Sequence, residues 1–123
     1  MAANLGSVIL KSPAYKKDGL LIITFDEADY GASTDSDASS CCSELPGPNS
    51  PLPGITGPGG GRVGAVVLSP FVSAGSQNSN TYNHYALLKT LETLFGLPYL
   101  GYAQPAGLAP FGPDVFNNAR LAK

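Results

Sequence analysis

Asp26 and Glu27 are the residues best placed for chemistry, because they follow directly on the apolar run Leu20 to Phe25 (LLIITF). Adjacent carboxylates are hard oxygen ligands suited to a divalent cation. In open α/β sheets, ligands gather at the carboxyl ends of strands. On a straight strand the two acids point to opposite faces. Both reach one metal only if the chain turns there, and Ala28-Asp29-Tyr30-Gly31 permits that turn. The plainer reading is a solvated strand end whose acids cap a loop, and spacing alone leans toward it.

His84 is the single histidine of the chain. It is expected in the first turn of a helix, on its apolar side. An imidazole there can bind a metal, donate to a phosphate oxygen or orient a carboxylate. The plainer reading is a packed histidine that satisfies a backbone carbonyl. Cys41 and Cys42 stand side by side. A bridge between neighbours is unfavourable, so these cysteines are expected to pair elsewhere or to stay free. A cysteine nucleophile paired with His84 is a further reading, but Asp35, Asp37 and Glu44 nearby would raise the thiol pKa. No C-x-x-C supports a metal role for the cysteines.

Two patterns are decoys. Gly59-Gly60-Gly61-Arg62-Val63-Gly64 matches G-x-G-x-x-G, yet it precedes a strand instead of following one and opening a helix. Gly6-Ser7 and Gly75-Ser76 lack the frame of a serine nucleophile elbow.

The elements that must position these residues read as helix, strand, long loop, strand, helix, an α/β order. Asn4 is a candidate cap for a short helix with Leu5, Val8 and Ile9 on one stripe, and Pro13 ends it. Tyr15 to Gly19 reads as a charged turn. Leu20 to Phe25 and Val63 to Leu68 (VGAVVL) read as strands buried on both faces, as in a parallel sheet. The 28–62 connection is rich in Gly, Pro and Ser and is expected to be irregular. The last helix has Asn83 as N-cap and Gly96 after its end, with Pro98 confirming the stop. His84, Leu87, Leu88, Leu91 and Phe95 are expected to face the core, with Lys89, Thr90, Glu92 and Thr93 outward. The tail 103–123 is expected to be irregular.

The 123 residues suffice for one domain, 1–123, and one modest core. Hydrophobic content is 43% and net charge −2, with a pI near 5.1. The basic residues are scattered, so a nucleic-acid partner is not expected. No apolar run approaches ~18 residues, so no transmembrane segment is expected. Met1-Ala2-Ala3-Asn4 lacks the pattern of a signal peptide. Two strands and two helices make a poor independent core, which points to a fragment of a larger sheet.

Three segments, in order, resemble one family. Leu21-Ile22-Ile23-Thr24-Phe25-Asp26-Glu27 comes first and Gly61-Arg62-Val63-Gly64 through Leu68-Ser69-Pro70-Phe71 second. Third is Tyr82-Asn83-His84-Tyr85-Ala86-Leu87-Leu88-Lys89-Thr90-Leu91-Glu92 with Leu94-Phe95-Gly96-Leu97. Together they are similar to the phosphoesterase family that includes bacterial phospholipases C and acid phosphatases. The resemblance implies an alkaline-phosphatase-like α/β sandwich with buried, mostly parallel strands, plus long irregular loops. It implies hydrolysis of phosphate esters, a divalent metal ion (Ca, Mg or Mn) at Asp26 and Glu27, and a catalytic-site role for His84. Arg62 is expected to fix the loop onto the sheet. It further implies an extracellular or periplasmic parent protein. The family's nucleophile and its other ligands lie in an N-terminal half that this chain lacks. The chain is thus expected to be the C-terminal portion of the domain, its partners a phosphate-ester substrate and the missing N-terminal half. The alternative is a non-catalytic remnant of the fold that acts as a binding or structural module.

Overall fold

Ser12 organises the start of the chain. Its backbone is extended (φ −65°, ψ 145°), as the residue before Pro13 must be. Its hydroxyl donates to Ile9 O at 2.8 Å and accepts from Tyr15 N at 3.2 Å. One side chain thereby closes α1 (Ala2–Lys11) and caps α2 (Pro13–Asp18). Pro13 occupies the first helical turn, where its missing N–H costs nothing. The computed structural model describes residues 2–28, 37–42, 46 and 59–118. The remaining elements are β1 (Leu21–Thr24), β2 (Ala65–Leu68), α3 (His84–Phe95) and a 3-10 turn, Gly101–Ala103.

Two expectations for this region are corrected. Asn4 lies inside α1 and does not cap it. The segment read as a charged turn is α2, because Ser12 and Pro13 together form a start signal stronger than the charges that follow. Gly19 ends α2 with its N–H on Tyr15 O at 2.8 Å. A Cβ at Gly19 would collide with the Tyr15 ring and its Cα.

The chain divides into two units. The first, Met1–Thr24 with Ala65–Asn78 and Pro113–Lys123, holds α1, α2 and both strands. β1 and β2 pair antiparallel, with Leu21 opposite Leu68, Ile22 opposite Val67, Ile23 opposite Val66 and Thr24 opposite Ala65. The parallel neighbours expected for such apolar runs are not found among the described residues, and neither strand is buried on both faces. Leu21, Ile22, Val67 and Leu68 are half-buried, whereas Ile23 and Val66 are 55% and 53% exposed. Ser69 Oγ donates to Gly19 O at 2.7 Å and pins the half-buried end. Residues 113–118 lie along the turn after β2. Ser73 N donates to Asn117 Oδ1 at 2.8 Å, and Asn118 N donates to Phe71 O at 3.0 Å.

The second unit, Phe25–Gly64 with Ser79–Gly112, is built around α3. Asn83 Oδ1 accepts from Ala86 N at 2.8 Å and caps the helix. Gly96 ends it in the left-handed conformation (φ 64°), and Leu97 N reaches back to Glu92 O at 2.8 Å. Both termini follow their residue types.

The buried face of α3 is largely the reverse of the one expected, although Thr93 is exposed as expected and Leu87 and Leu88 are half-buried. Ala86, Lys89, Thr90 and Glu92 are buried, while His84, Leu91, Leu94 and Phe95 are exposed. The cause is the irregular segment 99–111, whose main chain has no ladder partner and must find one elsewhere. Lys89 Nζ donates to Pro105 O at 2.8 Å and lies 4.8 Å from the centre of the Tyr99 ring. Leu100 N donates to Glu92 Oε1 at 3.1 Å, and Phe111 N donates to Thr90 Oγ1 at 2.8 Å. The edge-to-face pair Tyr82–Phe111 and the tilted pair Tyr85–Tyr102 supply the apolar part of this packing. Among the described residues no helix is long and apolar enough to cross a membrane.

Candidate functional site

β1 ends at Thr24, and the chain bends at Asp26 and Glu27. The backbone is held on both sides of that bend. Upstream, His84 Nε2 lies 2.9 Å from Phe25 O. A carbonyl oxygen only accepts, so Nε2 carries the proton and donates. His84 thus joins the first turn of α3 to the residue preceding Asp26. Downstream, Ala28 N donates to Gly60 O at 2.7 Å, next to Glu27. The carboxylates themselves are exposed, and among the described residues no side-chain hydrogen bond or ion pair engages either of them.

Gly60 belongs to a three-glycine tract that lies between the strand end and residues 37–40. Gly59 N donates to Ala38 O and Gly61 N to Ser39 O, each at 3.0 Å. A Cβ on Gly59 would collide with Ser39 O, and one on Gly61 with Asp37 O. Gly61 also has φ 75°, a conformation that L-residues rarely adopt. A Cβ at Gly60 would sit 3.4 Å from the Glu27 Cβ, so the tract rests against the site. The glycine pattern rejected as a nucleotide fingerprint therefore serves close backbone approach.

Asp37 locks this arrangement, and the sequence reading gave it no role there. Its Oδ1 accepts from Ser39 N and its Oδ2 from Arg62 N, both at 2.8 Å. These bonds hold its carboxyl below the ordinary carboxylate pKa, the Ser39 hydrogen bonds most and the Arg62 backbone bond next. The signal was present in sequence, because an Asp two residues before a Ser is a common side-chain-to-backbone turn. Arg62, expected to fix the loop onto the sheet, instead gives its main-chain N–H to Asp37 Oδ2.

Cys41 and Cys42 are bonded to each other, which corrects the expectation that they pair elsewhere or stay free. Cys42, the second residue of the bridge, lies in the left-handed region (φ 72°). No thiol remains on either residue, so the cysteine–histidine nucleophile is excluded in this state.

The family model for the phosphoesterase family matches residues 1–98. The chain belongs to the phosphoesterase family. That match spans α1, both strands, the glycine tract and all of α3. No curated protein and no solved structure matches the chain. The family's chemistry is hydrolysis of phosphate esters, so the substrate class is a phosphate ester.

A phosphoesterase metal ion would find two carboxylate donors here. Mg²⁺ is commonly held by one or two carboxylates, with water and substrate phosphate oxygens completing its shell. The exposed pair Asp26 and Glu27 on a bend fits that donor set. Among the described residues, no group of three or more His, Cys, Asp or Glu side chains comes together. His84 points a ring nitrogen at Phe25 O, so its observed partner is the main chain of the strand end. Asp29 and Tyr30, expected in the turn after Glu27, lie outside the described residues.

Proposed function

We propose that this phosphoesterase chain contributes the metal-binding strand end of a phosphate-ester hydrolase, with Asp26 and Glu27 as ligands of a divalent cation (Ca, Mg or Mn). One observation carries this reading. The glycine tract before Arg62 and the helix start at His84 both bind the main chain flanking these two acids. Fixing the backbone on both sides restricts where the carboxylates can reach, which is the preorganisation a ligand pair needs. When bound, the cation would offset charge developing on the phosphoryl oxygens.

Within this reading His84 is a positioning residue. Its Nε2–H holds Phe25 O, and its Nδ1 is the ring atom left for a water or a substrate oxygen. The glycine tract sets the exit of the chain behind Glu27, and Asp37 sets the tract. We further propose that β1 and β2 belong to a larger alkaline-phosphatase-like sandwich, mostly parallel, whose other part supplies the nucleophile and further ligands. The exposure of Ile23 and Val66 supports this, because apolar strand residues are ordinarily covered. The Cys41–Cys42 bond supports an oxidising, extracellular or periplasmic setting. The alternative is a non-catalytic remnant, favoured by the lack, among the described residues, of any third His, Cys, Asp or Glu side chain grouped with these two.

Calorimetric titration with Mg²⁺, Ca²⁺ and Mn²⁺ tests the metal directly, alongside hydrolysis of a chromogenic phosphate ester. The expected result is micromolar binding of one cation that Asp26→Ala abolishes, with slow or no turnover by this chain alone. Absence of binding for all three cations overturns the metal site and leaves the remnant reading. Fast turnover abolished by Asp26→Ala overturns the need for a second part.

A further inference from the structure

We propose that the Cys41–Cys42 bond is a thiol-exchange site, and that its reduction by a dithiol loosens the brace behind Asp26 and Glu27. This goes beyond the metal-site reading and does not depend on it.

The bond is accessible, because Cys42 is exposed and Cys41 half-buried. Among the described residues, Cys42 is the one non-glycine residue with a positive φ. An L-residue in that conformation is disfavoured by contact between its Cβ and the backbone. The ring formed by the adjacent cysteines keeps Cys42 there, and opening it lets the residue return to an ordinary φ. The chain direction at 41–42 then changes, directly after residues 37–40.

Those residues form the outer layer of the brace. Ala38 O and Ser39 O accept from Gly59 N and Gly61 N, and Gly60 O accepts from Ala28 N. A short, continuous run of backbone hydrogen bonds therefore joins the disulfide segment to the residue after Glu27. All of it lies within the second unit.

The exchange balances in two steps. A thiolate of the dithiol attacks Cys42 Sγ and forms a mixed disulfide, while Cys41 leaves as a thiolate and takes up a proton. The second thiol of the reductant displaces Cys42, which is also protonated, and closes the reductant's own disulfide. Two electrons pass to the protein.

Amide hydrogen exchange of the full chain, without metal or substrate, before and after treatment with dithiothreitol, tests the proposal. Reduction is verified by the appearance of two iodoacetamide-reactive thiols. The amides of Ala28, Gly59 and Gly61 are expected to exchange on the order of tenfold faster after reduction, with those of Gly96 and Leu97 unchanged. Cys41→Ser/Cys42→Ser is expected to show the fast exchange with or without reductant. Unchanged exchange at Ala28, Gly59 and Gly61 once both thiols are labelled would overturn the proposal. So would thiols already reactive in the untreated protein, or a bond that resists dithiothreitol.

Discussion

Acidic side chains are used in opposite ways at the strand end and on α3. At residues 25–28 the main chain is held, by His84 and Gly60, and the carboxylates of Asp26 and Glu27 stay exposed. On α3 the side chains do the holding. Glu92 is 3% exposed and Lys89 6%, and both bind the main chain of the segment that covers them. A carboxylate whose backbone is fixed by others is open to a ligand. One that is itself buried and accepts from a main-chain amide is committed to structure. Residue type does not separate the two cases, but the partners of the main chain do.

Substitutions can break this comparison, and the largest effect is expected at the brace. Gly61→Val forces an L-residue to φ 75° against Asp37 O. It is expected to cost about 3 kcal/mol in urea unfolding. Next comes the polar face of α3. Lys89→Ala removes the bond to Pro105 O and the contact with Tyr99, at about 2 kcal/mol. Leu94→Glu, on the exposed apolar stripe, is expected to stay within about 0.5 kcal/mol. A larger loss from Leu94→Glu than from Lys89→Ala in thermal unfolding would reverse the assignment of the helix faces.

Smaller effects sharpen the contrast. His84→Ala loses one hydrogen bond to the strand end, about 1 kcal/mol by thermal unfolding. Asp26→Asn and Glu27→Gln together are expected to change stability by less than about 0.5 kcal/mol, because among the described residues neither carboxylate has a side-chain partner. A marked destabilisation in the same unfolding experiment would show them to be structural acids like Glu92. The last effect concerns pH. The folded-state pKa of Asp37 is lowered from the ordinary 3.8. Its contribution is therefore present above that unfolded value and fades as pH falls through the folded one. Intrinsic-rate-corrected protection of the Gly59 and Gly61 amides should decline in that acid window, and Asp37→Asn should flatten the decline.

Much of the helix geometry could be read in the residues themselves. Asn83 and Gly96 mark both ends of α3 because capping is a local matter of one side chain and one backbone conformation. The strands emerged slightly shortened, Leu21–Thr24 and Ala65–Leu68 within longer apolar runs. Helix α2 was hidden because its six residues carry three charges that resemble a turn. The face of α3 could not be read from periodicity. Periodicity assumes that the apolar stripe is covered, and here the chain that arrives is an irregular segment in need of polar partners. The Cys41–Cys42 bond was missed for a related reason, since it depends on one residue taking an unusual φ.

The sequence by itself determined the family and the pair of acids at the end of β1. Three ordered motifs and a carboxylate pair are properties of residue type and spacing. Only the tertiary structure decided that the glycine tract and His84 meet the main chain around those acids. It likewise decided that the strands pair antiparallel and that Lys89, Thr90 and Glu92 turn inward. Each depends on hydrogen-bond partners distant in sequence, and a main chain must satisfy its polar groups with whatever the fold brings to it.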